Sequence, residues 1–106
     1  MLYRWDMLRI TESFDNDNTV RIRLDGTISE ASFAEVEEAC ARHNGNHEQI
    51  ILFDMAGVMF MSNDAAKKLI QFRSDRVRII NCSPFIETLL QTVEDGRPDH
   101  VDKFKS

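Results

Sequence analysis

A chain of 106 residues carrying a net charge of -5 is one domain with one core, too small for two. The acidic balance argues against a nucleic-acid binder, which needs a basic face with interleaved aromatics. No apolar run approaches the roughly 18–20 residues of a membrane span, and charges within residues 1–9 interrupt any secretory apolar stretch, so the expected location is the cytoplasm.

Residues 7–14 are predicted to form a first strand. Asp15, Asn16, Asp17 and Asn18 are turn formers. Val20, Ile22 and Leu24 then alternate with Arg21 and Arg23, the period of a half-buried strand with one wet face. The two strands make a hairpin, and Gly26 is expected to break the second. Ser29 suits the cap of a helix reaching about residue 43, with Phe33, Val36, Cys40 and His43 on one face. Glu30, Glu35, Glu37 and Glu38 put acid in its early turns, which the helix dipole favours. Asn44 and Gly45 end it.

Ile50, Ile51, Leu52 and Phe53 form a continuous apolar run, as expected of a strand covered on both sides. A second helix is predicted over residues 63–73 and a short strand over 77–81. Ser83 and Pro84 supply a cap and a first helical residue for a third helix, whose inward stripe is Ile86, Leu89, Leu90 and Val93. Asp95, Gly96, Arg97 and Pro98 stop it. The domain core is then about residues 7–94, and 95–106 read as a polar tail. The order β-β-α-β-α-β-α predicts an α/β fold, a four- or five-stranded mixed sheet with helices covering the faces of its parallel part. Ligands and partners of such sheets meet the carboxyl ends of parallel strands, where Ser62, Asn63 and Asp64 fall.

That corner offers free backbone N–H groups to negative charge, and three capping residues stand where one suffices. Asp64 is the carboxylate built into it. A fixed carboxylate there disfavours a small-anion site. Cys40 and His43, followed by His47, resemble metal-ligand spacing, but Asn44 and Gly45 end the helix between the histidines, so Cys40 is expected to be a small core residue and no metal or cofactor is expected. The two cysteines, Cys40 and Cys82, are too few for a disulfide scaffold and are expected as thiols. Asn81-Cys82-Ser83 matches a glycosylation sequon by chance, with Pro84 next. With no phosphate loop, paired-cysteine motif or nucleophile elbow, no enzyme is expected. Acids dominate residues 30–48 and bases residues 67–78, either as two solvated faces or as a docking surface whose charge steers a partner.

Over residues 20–93 the chain resembles a STAS domain, the family of bacterial anti-sigma factor antagonists. The resemblance rests on Arg23-Leu24-Asp25-Gly26, on the run from Ile51 through Asp54 to Phe60, and on Ile79-Ile80-Asn81-Cys82-Ser83-Pro84, in order and spacing. Antagonists of this family read Asp-Ser-Ser-Gly-Leu after the apolar strand. The resemblance places Ser62 at the aspartate, Asn63 at the first serine, Asp64 at the phosphorylated serine, and Ala65-Ala66 at Gly-Leu. In the family the unphosphorylated antagonist binds an anti-sigma factor kinase, and phosphorylation breaks the complex. A phosphate brings about -1.5 to -2 charge and three acceptor oxygens, whereas Asp64 brings one charge and two oxygens without control.

The resemblance therefore implies a non-enzymatic interaction module, unswitchable at Asp64, with Ser62 left as the candidate for a displaced phosphosite. Docking is expected through Met59, Met61, Ser62, Asn63, Asp64, Lys67 and Lys68, onto an anti-sigma-factor-type kinase. The alternative is an accessory subunit binding the ATPase of a phospholipid-trafficking ABC transporter. Self-association is left open.

Overall fold

The computed structural model describes residues 7–43 and 48–95. Its elements follow the predicted order: β1 (Leu8–Asn16), β2 (Thr19–Ile28), α1 (Phe33–His43), β3 (Ile50–Met61), α2 (Asn63–Phe72), β4 (Val77–Ile80) and α3 (Pro84–Asp95). The strands form one mixed sheet of four, ordered β1-β2-β3-β4. β1 and β2 are an antiparallel hairpin; β2, β3 and β4 run parallel. The polar tail predicted from residue 95 onward lies, from residue 96, outside the described residues, as do Asn44, Gly45 and His47. No helix among the described residues is long and apolar enough to cross a membrane.

Alternation along β2 decides where the core sits. Val20, Ile22 and Leu24 are fully buried, and their register partners on β3 include Ile51 opposite Val20 and Phe53 opposite Ile22. Onto this face pack Phe33, Val36, Ala39 and Cys40 of α1, Ala65, Ala66 and Leu69 of α2, and Ile86 and Leu90 of α3. All of them belong to one apolar cluster, so the three helices share one side of the sheet. The other side stays wet: Arg21 and Leu52 are half-buried, Arg23 and Arg78 exposed. The expectation that β3 is covered on both faces is therefore corrected. Of its run of four apolar residues, Leu52 lies opposite Arg21 of β2, and Arg23 follows opposite Asp54; these arginines keep that face polar.

Two boundaries also move. β2 does not break at Gly26 but continues to Ile28, because glycine takes φ 105° there and the strand bends without losing its partners. A side chain at Gly26 would bring a Cβ to 2.4 Å from the Met7 carbonyl oxygen. At α1, Ser29 and Ser32 exchange bonds, each hydroxyl accepting the other's backbone N–H at 3.2 and 2.9 Å, and the α-helix begins only at Phe33. Ser29 thus closes the turn ahead of the helix.

Ion pairs tie the edges. Glu12 of β1 accepts from Arg42 and pairs with His43 Nε2 at 2.7 Å, which pins the last turn of α1 to the sheet. His43 also meets the Phe14 ring edge-on at 6.0 Å. The histidine is thereby engaged by a carboxylate, while burial pushes the Cys40 thiol up. Among the described residues no three His, Cys, Asp or Glu side chains group as metal ligands. The Arg42 hydrogen bond, then His43, holds Glu12 below the usual carboxylate range, and the Arg21 hydrogen bond does the same for Asp15. A carboxylate with a depressed folded pKa contributes stability above its unfolded pKa and loses it as pH falls. Unfolding free energy from urea melts should therefore decline as pH falls below about 5, and a flat profile would contradict these pairs.

Candidate functional site

The carboxyl edge of the parallel strands is built by two irregularities in β3. Between Arg23 and Asp25 of β2, the partner strand advances from Asp54 to Gly57, one residue more. Between Gly26 and Thr27 it advances from Val58 to Phe60, again one more. Each extra residue is a bulge, and each reverses which face the following side chains take. Hence Phe53, Met55, Val58 and Met61 all point inward despite their uneven spacing.

Met59 is the extra residue of the second bulge and is 81% exposed; Phe60 beside it is 50% exposed. Met61 is 1% exposed and belongs to the core. Met61 is thus removed from the docking set. Simple alternation gives Met59 and Met61 one face, but the bulge between them separates the pair. Phe60 takes the vacated place at the surface.

The chain then turns at Ser62. Its backbone N–H donates to the Ile28 carbonyl at 3.0 Å, anchoring the turn to β2. Its hydroxyl accepts from the Ala65 N–H at 3.1 Å, so Ser62 is the N-cap of α2. Asp64 is consequently not a cap. It sits in the first turn, exposed, where its charge favours the helix dipole from outside. Asn63 and Lys67 are exposed alongside it. Lys68 is half-buried, with its ammonium 4.0 Å from Glu30, so the basic second helix and the acidic approach to α1 meet here.

Ser62→Ala should cost about 1 kcal/mol by stranding the Ala65 N–H. Asp64→Ser should cost no more than about 0.3–1 kcal/mol of dipole interaction. Urea melts of the two variants check the order; a larger loss at Asp64 would make it structural.

β3 and β4 are parallel, so α3 leaves the same edge of the sheet as α2. Ser83 caps α3 by accepting the Ile86 N–H at 3.2 Å, and Phe85 in its first turn is 56% exposed. The edge thus carries Met59, Phe60 and Phe85 in the open, with exposed Asn63, Asp64 and Lys67 following the first two along the chain. Sequence reasoning missed Phe60 and Phe85. Phe85 had a signal, since it falls off the inward stripe of Ile86, Leu89, Leu90 and Val93.

Beneath the edge lies Asp54, 5% exposed, on the face of the sheet that carries no helices. One carboxylate oxygen, Oδ1, accepts from the Ala56 N–H and the Asn81 amide, each at 3.1 Å; Oδ2 accepts from Arg21 at 3.0 Å. Burial raises the Asp54 pKa, but the Ala56, Asn81 and Arg21 donors together outweigh it and leave the carboxyl below its usual value. Arg21 in turn holds Asp15 through two nitrogens, at 3.1 and 2.7 Å. Asp54 was also overlooked, although a charge ending an apolar strand was its signal.

No family model matches the chain, and no curated protein matches its sequence. Its fold has counterparts among solved structures. The anti-sigma factor antagonist SpoIIAA in its unphosphorylated form matches with a TM-score of 0.62 at 16% identity, over 79% of this chain and 83% of that one. An anti-sigma factor antagonist from Mycobacterium paratuberculosis matches with a TM-score of 0.63 at 14% identity, over 99% of this chain and 100% of that one. At such identities the likeness is one of fold.

Proposed function

We propose that this chain, whose fold is that of STAS domains and anti-sigma factor antagonists, is a non-enzymatic protein-interaction module of the antagonist type. Its docking surface is the carboxyl edge of the sheet: Met59, Phe60, Ser62, Asn63, Asp64, Lys67 and Lys68. The observation that carries this is the second β3 bulge, which turns two large apolar side chains into solvent immediately before α2. Exposing Met59 and Phe60 together is unfavourable unless a partner covers them. Met is suited to an adaptable contact, and the flanking Asp64 and Lys67 supply a charged rim.

The partner is an anti-sigma-factor-type kinase, and the interaction is not switched by phosphorylation at Asp64. Asp64 has no hydroxyl on which a phosphoserine ester could form. Ser62 is a poor substitute, because its hydroxyl is engaged with the Ala65 N–H. Incubation of the chain with its kinase partner and ATP, followed by mass spectrometry, should give no phosphorylated residue at this corner. Stoichiometric phosphoserine at Ser62 would overturn the unswitchable state.

A further inference from the structure

Among the described residues, Asp54 is the only charged side chain in the buried set, and the interaction surface above does not use it. Its three bonds are distributed in an informative way. The Ala56 N–H closes a two-residue turn back onto the Asp54 side chain, at the place where β3 slips by one residue against β2. The Asn81 amide belongs to the one described non-glycine residue with positive φ, at 61°. A left-handed residue after β4 turns the chain toward Ser83 and α3, and asparagine tolerates that conformation better than most. Arg21 fixes the second oxygen and links it to Asp15, so one carboxylate is tied to structure from β1 to the end of β4.

The first bulge is tight as well as bonded. Gly57 has Asp25 against its bare backbone: a Cβ there would lie 1.7 Å from Asp25 Oδ1. Asp25 is itself held by Arg23 at 3.1 Å. The strand therefore has little freedom to slide between Asp54 and Met59. The phase of everything beyond, including which side chains reach solvent, follows from where this slip occurs.

We propose that Asp54 is a positioning residue for the docking edge: its carboxylate locks the first β3 bulge and the left-handed turn at Asn81, and so sets the two exits that present Met59, Phe60 and Phe85. Its functional meaning rests on the interaction module proposed above. The geometry is tested on the protein alone, so failure here is distinct from failure of that proposal.

The test is amide hydrogen exchange under native conditions on the full chain, comparing the wild type with Asp54→Ala and Asn81→Gly. Asp54→Ala should speed exchange by about tenfold or more in residues 56–60 and 82–86, and leave residues 51–53 and 65–69 within about twofold. Asn81→Gly removes one partner of the carboxylate and keeps the left-handed turn unstrained. It should show the same local rise confined to residues 82–86. A uniform rise across sheet and helices, or no local rise, overturns the proposal and leaves Asp54 as a general contributor to stability. If Asp54→Ala does not fold, Asn81→Gly decides alone: a rise at 82–86 supports the lock and its absence refutes it.

Discussion

Met61→Ala should destabilise the domain by about 2–5 kcal/mol, whereas Met59→Ala should change stability by no more than about 0.5 kcal/mol. The two methionines lie two residues apart in one strand, so β alternation alone predicts equal effects. The structure separates them by a bulge. Met61 is among the largest fully buried side chains, in the cluster with Ile28, Ala65 and Leu69. Truncating it removes apolar contacts and leaves a cavity that the close-packed helices fill only in part. Met59 is the bulge residue and has little to lose on truncation. Against a typical total of about 5–15 kcal/mol, the Met61 change takes a large share of the stability. Urea unfolding of both variants measures it. Equal losses would mean that β3 keeps simple alternation through this segment and that Met59 is not turned out by a bulge.

Met59→Ala combined with Phe60→Ala should leave folding nearly intact and weaken partner binding by about 2 kcal/mol or more, roughly thirtyfold in Kd. Interfaces concentrate their energy in a few large side chains that become fully desolvated, ringed by groups that exclude water. Met59 and Phe60 are among the few large apolar side chains left exposed, and they are adjacent. Asp64 and Lys67, exposed in the helix that follows, are expected to affect the rate of encounter more than the lifetime of the complex. Melting curves of the double variant separate lost binding from lost fold.

Much of this fold is legible in the residues themselves. Val20, Ile22 and Leu24 announce a strand with one buried face, and the Ser83-Pro84 pair announces the start of α3 where it occurs. These signals are local: a period, a cap, a ring that fixes φ. What escapes the sequence is non-local. The bulges of β3 exist only in relation to β2, through a register that skips at Arg23/Asp25 and at Gly26/Thr27. Neither skip leaves a mark in the run from Met55 to Met61, so alternation counted from Phe53 misplaces the residues between the skips, turning Val58 outward and Met59 inward, and gives Met59 and Met61 one face. Gly26 shows the same limit. Its positive φ is a bend when both neighbouring strands hold it and would be a break when they do not. The single-sided placement of the helices is likewise a property of the assembled sheet. The docking corner itself is legible in its position and in most of its members, because Ser62, Asn63, Asp64 and Lys67 follow from where a helix must begin after a strand.

Asp64 gains a sharper meaning from its place one residue beyond the start of α2. The cap is Ser62, so the fold does not require a carboxylate at Asp64. Its charge is displayed at the exposed start of the helix, beside the apolar pair that a partner would cover. Under the function proposed above, a surface without a serine at this position suits a constitutive contact better than a reversible one.

The most direct test of the docking edge is affinity capture from the native organism with wild-type chain and with the Met59→Ala, Phe60→Ala double variant side by side, read by mass spectrometry. The wild type should retain an anti-sigma-factor-type kinase in stoichiometric amount, and the double variant, with an unchanged melting curve, should lose it. Equal retention of that kinase by both chains, or no such kinase on the wild type, would contradict docking through the carboxyl edge of the sheet.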